Sequence, residues 1–178
     1  MAKRYIPEDN IAVALLTYRC DGLTEEIWDK WSQDPTIVAA AVNPKLTRVE
    51  LPDDEDHKVF LLKMKMPMLI SNRSTLTTFY RHTKEDGTKL VFHSSKGNES
   101  IIEANQDKID GDVVTNNVLT WMSFKPYEGG MELRHIVKMD PAGMIPDFIK
   151  NKAAARMANT LHVITNYVKD GTIPEPMF

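Results

Sequence analysis

The sequence is poor in the features that mark secreted, membrane-spanning and nucleic-acid-binding proteins. Its single cysteine, Cys20, excludes an internal disulfide and is typical of a reducing compartment. No apolar run reaches the about 18 residues of a membrane span, and the N-terminal MAKRYIPEDN lacks the apolar segment of a signal peptide. The net charge is −3, without the basic excess that nucleic-acid binding usually requires. These absences predict a cytoplasmic protein, and 178 residues suit a single domain.

Motifs for metal binding and catalysis are also missing. No histidine lies at HxH, HxxxH or HExxH spacing, and one cysteine cannot form a CxxC pair, so we predict no metal site. The phosphate-binding GxGxxG and GxxxxGK[ST] loops and the GxSxG nucleophile motif are absent too. We therefore predict no catalytic residue and no cofactor. A nucleophile pair of Cys20 with a histidine is the alternative within the sequence.

Alternating apolar and polar residues predict an antiparallel sheet of six or seven strands. The predicted strands cover residues 11–20, 46–51, 58–66, 74–82, 88–95, 116–124 and 131–139. KEDG at 84–87 and KPYEGG at 125–130 predict hairpin turns, whereas residues 96–112 are polar and without a clear pattern. A short helix is expected at 23–34, with Thr24 as its N-cap. In the last strand the alternation predicts that Leu133, His135, Val137 and Met139 face inward.

A long amphipathic helix is predicted near the end of the chain. Between Ile145 and Val168 the apolar residues fall within about a third of the helical circumference. Pro146 is tolerated in the first turn, and Gly171 lies just past the other end. At about 1.5 Å per residue the helix is on the order of 35 Å long, enough to cross a sheet. A curved sheet around such a helix predicts an apolar tunnel, which the ten methionines could line or simply fill as core.

Three segments resemble the START (StAR-related lipid transfer) domain family. KMPMLISNRSTLTTFYR (65–81) resembles the family's P-x-x-x-S-N-R-D strand start, and VKMDPAGMIPDFIKNKAAARM (137–157) resembles its D-P-G-G-x-I-P turn and C-terminal helix. LTEEIWDKWSQD (23–34) matches an early helix with a W-D pair. The spacing also fits, so the resemblance covers residues from about 11 to 170. Two positions depart from it: Ser74 replaces an aspartate, and Ala142 replaces a glycine.

The resemblance implies an α+β helix-grip fold, in which a curved antiparallel sheet surrounds a long C-terminal helix and an internal apolar tunnel. It implies one START-like domain over residues 1–178 with a core at about 11–170, beginning without the family's N-terminal helix. The implied function is non-enzymatic binding and intermembrane transfer of one lipid of the phospholipid or sterol class. The 140–146 loop and the helix would gate the tunnel. The expected partners are this lipid and, transiently, a membrane surface; we expect no nucleic acid and a monomer.

Arg73 is the main residue that the resemblance singles out. In phospholipid-binding relatives the matching arginine contacts the headgroup, and a guanidinium suits a phosphate; pairing with a nearby acid is the alternative. The full set of predicted lipid-binding residues is Arg73, Tyr80, Phe92, Trp121, His135, Met139, Met144, Phe148, Arg156, Met157 and Leu161. Ordinary core packing is the alternative for the aromatic residues. Lys150 and Lys152 are expected to meet anionic headgroups, or only to confer solubility.

Two other functions stay open at this point. An enzyme on the helix-grip architecture, such as a cyclase or hydrolase, would need ionisable groups that converge in the tunnel. His93 and His135 are the pair that could provide them. The other alternative is a ligand-free interaction domain whose interior is filled by side chains.

Overall fold

The computed structural model describes residues 2–6, 11–33, 46–51, 58–66, 69–140, 142–143, 163 and 165–171. They contain three short helices, α1 (Glu25–Gln33), α2 (Glu99–Ala104) and α3 (Gln106–Ile109). Residues 163 and 165–170 are also helical and are called the C-terminal helical segment. The strands are β1 (Ala2–Ile6), β2 (Ile11–Asp21), β3 (Leu46–Glu50), β4 (Lys58–Met64), β5 (Arg73–Thr83), β6 (Lys89–Ser94), β7 (Val113–Tyr127) and β8 (Gly130–Asp140).

All eight strands form one sheet in the order β1-β2-β8-β7-β6-β5-β4-β3. Neighbouring strands are antiparallel, and β5 also pairs with β7 in parallel, where residues 73–75 meet residues 113–115. Strands separated by a third strand normally lie about 10 Å apart. Direct pairing of β5 with β7 beyond the short β6 therefore requires the sheet to curve strongly, as the helix-grip prediction expects.

The predicted hairpins are present. Between β5 and β6, the Lys84 N–H donates to the Thr88 carbonyl over 2.9 Å, and Gly87 takes the positive φ of +76° that glycine favours. Between β7 and β8, Tyr127 lies opposite Gly130. The strand β1 was not predicted, so the sheet has eight strands where six or seven were expected.

The larger core lies on one face of the sheet, which we call the inner face. Its residues come from four strands, the turn before α1, α1 itself and the C-terminal helical segment: Cys20, Leu23, Trp28, Val91, Met122, Phe124, Met131, Leu133 and Val163. Trp28 packs edge-on against Phe124 with ring centres 5.8 Å apart. The guanidinium of Arg81 lies 4.8 Å from the Trp28 ring centre and pairs with Asp29 at 3.5 Å. The W-D pair of the early helix thus joins α1 to the sheet.

The ends of two helices agree with the sequence predictions. The Thr24 hydroxyl accepts the Ile27 N–H over 3.3 Å, as an N-cap does. The C-terminal helical segment stops at Gly171, which has a φ of +70° and donates its N–H to the Tyr167 carbonyl over 2.9 Å. The Tyr18 hydroxyl lies 3.5 Å from the Thr165 hydroxyl. The end of the predicted helix therefore packs on the inner face, and its residues 145–162 and 164 lie outside the described part of the chain.

The opposite, outer face carries a second apolar cluster. Leu51, Val59, Leu61 and Leu76 pack there against Ile109 of α3, with Ile101 and Ile102 of α2 beside them. The two short helices occupy the segment in which the sequence showed no clear pattern. No helix among the described residues is long and apolar enough to cross a membrane.

Candidate ligand-binding site

The strand register determines which side chains share the inner face. Residues that lie opposite each other in neighbouring strands point to the same side of a sheet. His93 lies opposite Phe79 and Thr120, and His135 lies opposite Met122, which belongs to the inner core. Both histidines are therefore on the inner face, as the alternation along β8 predicts for His135.

A ladder of buried polar side chains occupies one half of the inner face. The Thr75 and Thr115 hydroxyls hydrogen-bond to each other between β5 and β7. The Asn117 amide donates to the Thr77 hydroxyl over 3.5 Å, and the Thr120 hydroxyl donates to the Asn117 amide oxygen over 3.1 Å. The other half of the same face is the apolar core. This arrangement divides the inner face into a polar half and an apolar half.

A bulge in β7 makes this ladder possible. The register between β7 and β8 shifts between Asn117 and Leu119, so one extra residue is inserted. Residues three apart in a regular strand point to opposite faces, but here Asn117 and Thr120 are on the same face and bond to each other. Ser95 holds the bulge because its hydroxyl accepts the Asn117 N–H over 3.0 Å and its N–H donates to the Asn117 carbonyl over 2.8 Å.

The two histidines lie where the polar half meets aromatic and apolar side chains. The His93 ring packs edge-on against Phe79 at 4.6 Å, and Phe79 packs against Phe60 at 6.2 Å. The Nε2 atom of His93 and both ring nitrogens of His135 are buried and have no hydrogen-bond partner in the described part of the chain. Burial, and then the nearby His135, lower the pKa of His93 to about 3. Burial lowers the pKa of His135 to about 4, so both rings are neutral at pH 7.

Arg73 lies at the far end of the polar half. Its guanidinium donates to the Ser71 carbonyl and, over 3.4 Å, to the Ala142 carbonyl. Ala142 has a φ of +50° and donates its N–H to the Asp140 carboxylate over 3.0 Å. The start of β5 and the turn after β8, which lie in two of the segments that resemble the START family, therefore meet at Arg73. The family pattern has a glycine at position 142, and the left-handed backbone explains this, because glycine adopts that conformation most readily.

The other departure from the family pattern also has a structural explanation. Ser74, which replaces an aspartate, donates its hydroxyl to the Asp112 carboxylate over 2.7 Å. The Lys63 ammonium lies 3.5 Å from the same carboxylate. The carboxylate beside this position is thus supplied by the segment that precedes β7.

The structure brings together only part of the predicted lipid-binding set. Arg73, His135 and Met139 share the inner face, and Met139 lies opposite Asn117. Tyr80, Phe92 and Trp121 lie in one row on the outer face, which Ile136 and Leu15 continue, so the structure separates them from Arg73 and His135. Met144, Phe148, Arg156, Met157 and Leu161 fall outside the described residues, as do Lys150 and Lys152.

Sequence reasoning missed the threonines and Asn117 as site residues. The spacing of Arg73, Thr75, Thr77 and Phe79 at every second position was the available signal, because such residues share one face of a strand. Asn117 could not be found in this way, since its contact with Thr120 depends on the bulge.

The described residues give little support to a metal site or to a cysteine nucleophile. No group of three histidine, cysteine, aspartate or glutamate side chains is placed there to hold a metal ion. Burial, and then the neighbouring Asp21, raise the pKa of the Cys20 thiol to about 12. Because the thiolate is the nucleophilic form, a nucleophile pair of Cys20 with a histidine is disfavoured.

Comparisons with known proteins identify the fold. No protein-family model matches the sequence, and no curated protein matches it. The lipid transfer and protein localization domain of human StarD13 has a TM-score of 0.72 at 12% identity, with 94% of this chain and 83% of that chain covered. Human StAR-related lipid transfer protein 5 has a TM-score of 0.68 and 15% sequence identity, with 94% of this chain and 82% of that chain covered. A StAR-related lipid transfer protein fragment from Xanthomonas axonopodis has a TM-score of 0.67 and 14% sequence identity, with 94% of this chain and 92% of that chain covered.

These structures confirm the predicted START-like, helix-grip fold. Identities at this level establish the fold alone. Function must therefore be argued from the inner face of this chain.

Proposed function

We propose that this chain binds one lipid on the inner face of its sheet and carries it between membranes without catalysing a reaction. The observation that supports this most directly is the division of the inner face. An apolar half lies beside a polar ladder that ends at two neutral histidines, which have three buried ring nitrogens without a hydrogen-bond partner among the described residues. Ligand sites for apolar molecules combine apolar walls with a few placed polar groups in this way.

The energetic argument concerns the unpaired imidazole nitrogens. A buried polar atom without a hydrogen-bond partner costs roughly 1–3 kcal/mol. Three such atoms on one face, at His93 and His135, favour a bound molecule that is mostly apolar but supplies a polar group. Filling the interior with side chains alone would leave this cost in place.

The absence of catalysis is part of the proposal. General acid–base chemistry works best when the catalytic pKa lies near the operating pH, whereas His93 and His135 have pKa values of about 3 and 4. Within the described residues, none of the three buried, unpaired nitrogens of these rings is hydrogen-bonded to a carboxylate that could orient the ring. A helix-grip enzyme is therefore less well supported than a carrier.

The remaining parts of the proposal concern the whole chain and its surroundings. We place the carrier in one domain over residues 1–178, in the cytoplasm, as a monomer that touches membranes transiently. The segment 140–146 acts as its gate, and the Arg73 contact with Ala142 holds one residue of that segment against β5.

Transfer of fluorescent lipids between vesicles tests this function. Donor vesicles carry pyrene-labelled phosphatidylcholine or the fluorescent sterol dehydroergosterol, and acceptor vesicles carry a quencher. We expect the protein to accelerate the transfer of at least one of these lipids in proportion to its concentration. No acceleration with either lipid, by a protein that also takes up none from a cell lipid extract, would contradict the proposal.

Two matched substitutions locate the site. Met139 and Leu119 are 38% and 37% exposed and lie on neighbouring strands, but Met139 is on the inner face and Leu119 on the outer face. Met139→Trp fills space beside the polar ladder and should reduce transfer several-fold. Leu119→Trp adds the same bulk on the other face and should leave transfer unchanged; equal effects of the two would place the lipid elsewhere.

A further inference from the structure

We propose that the bound lipid is an uncharged alcohol whose hydroxyl group is held by His93 and His135. This inference rests on the proposed function and names the class of lipid that the site selects. It differs from the expectation that the headgroup is a phosphate bound by Arg73.

The positions of the two histidines support a shared polar contact. His93 on β6 and His135 on β8 lie on either side of β7, in adjacent rows that contain Thr120 and Met122. Strands two apart are separated by about 10 Å, which two imidazole side chains and one small group can span on a curved face. The effect of His135 on the pKa of His93 agrees with this proximity.

The donors and acceptors of the two rings match a hydroxyl group. A neutral imidazole has one N–H donor and one acceptor nitrogen, and a hydroxyl can both donate and accept. One hydroxyl can therefore accept from the N–H of one ring and donate to the bare nitrogen of the other. A hydrocarbon would leave the buried nitrogens of His93 and His135 unpaired, which is unfavourable.

An anionic headgroup fits these rings poorly. A phosphate only accepts hydrogen bonds, and burying it without a cation is costly. The pKa values of about 3 and 4 leave His93 and His135 uncharged at pH 7. Phe79 lies opposite His93, and Arg73 is six residues away from Phe79 along β5. Six residues of strand correspond to roughly 20 Å. A single headgroup at the histidines would therefore not reach Arg73.

The test begins with the identity of the lipid. The purified protein is incubated with vesicles of a total cell lipid extract and reisolated, and its bound lipid is identified by mass spectrometry. We expect enrichment of an uncharged lipid with a free hydroxyl, such as a sterol or a diacylglycerol. Stoichiometric binding of a phospholipid would overturn the alcohol inference but leave the carrier function intact, whereas no uptake of any lipid would overturn both.

Substitutions then test the two histidines directly. His93→Leu and His135→Leu should each weaken uptake of the identified alcohol roughly 3- to 10-fold, as loss of one hydrogen bond predicts. His135→Gln keeps a donor and an acceptor and should restore part of the uptake. His82→Leu, at an exposed histidine on the outer face, should have no effect. Unchanged uptake by folded His93→Leu and His135→Leu variants would overturn the inference. If either leucine variant does not fold, the uptake by His135→Gln and the identity of the bound lipid decide the question.

Discussion

Mild acid should destabilise this protein through its two buried histidines. His93 lies opposite Phe79 and Thr120 and His135 opposite Leu16, so uncharged side chains surround them on the neighbouring strands. Burial holds their pKa values at about 3 and about 4 in the folded state. In the unfolded chain the value returns to about 6.5. Below about pH 6.5 the unfolded state therefore binds more protons than the folded state, and stability falls as the pH falls.

The size of the effect follows from the number of protons. Each histidine that protonates only on unfolding removes about 1.4 kcal/mol of stability per pH unit. Two such groups should together remove about 4 kcal/mol between pH 7 and pH 5. That is a large part of the roughly 5–15 kcal/mol by which domains are usually stable. With a urea m-value of about 2 kcal/mol/M, the unfolding midpoint should fall by about 2 M.

Urea unfolding at pH 7, 6 and 5, followed by tryptophan fluorescence, measures this shift. The double variant His93→Leu/His135→Leu should lose most of the pH dependence, because its unfolding no longer takes up these two protons. His82→Leu should keep the dependence of the wild type, since His82 is exposed. An unchanged midpoint between pH 7 and pH 5 in the wild type would refute the burial of neutral histidines on the inner face.

Three further predictions concern other parts of the fold. Gly130→Ala should cost about 1–3 kcal/mol of unfolding free energy, because a Cβ atom at Gly130 would lie 2.3 Å from the Cys20 carbonyl oxygen. Gly130 is not among the glycines with a positive φ, so this clash rather than backbone strain sets the cost, and an unchanged urea midpoint would contradict it. The Cys20 thiol, with a pKa of about 12, should react with Ellman's reagent at pH 8 at least a hundredfold more slowly in the native than in the unfolded protein, and equal rates would contradict its burial. Arg73→Lys should lose the contact with Ala142 and speed amide exchange at that turn, so unchanged exchange would show that the contact is unimportant.

Local patterns in the sequence predicted most of the strands correctly. In β8 a charged residue alternates with an apolar one, so both the strand and its inward face could be assigned, including His135. The Thr24 cap and the Gly171 stop were equally predictable, because each acts within one helical turn. These features depend on neighbouring residues along the chain, which the sequence displays directly.

Features that depend on distant residues could not be predicted. The aromatic residues Tyr80, Phe92 and Trp121 were expected beside the ligand, yet they form a row on the outer face. In a strand such as β5, threonine or aromatic side chains occupy both faces, so composition does not reveal which face is inner. The bulge at Asn117 likewise becomes visible only when β7 is paired with β8.

The contact between Arg73 and Ala142 joins residues 69 positions apart. The resemblance to START domains marked both segments but assigned Arg73 only a headgroup role. The structure shows a structural role for it, since the guanidinium links the start of β5 to the turn after β8. That link could be found only from the three-dimensional arrangement.

Native mass spectrometry of the purified protein tests the central claim most directly. A carrier with the inner face described above should retain one lipid per chain, or take one up from mixed vesicles. The adduct should be several-fold less abundant in the Met139→Trp variant and unchanged in Leu119→Trp. A protein that stays free of lipid after exposure to vesicles, while folded by circular dichroism, would contradict the claim that the inner face is a lipid-binding site.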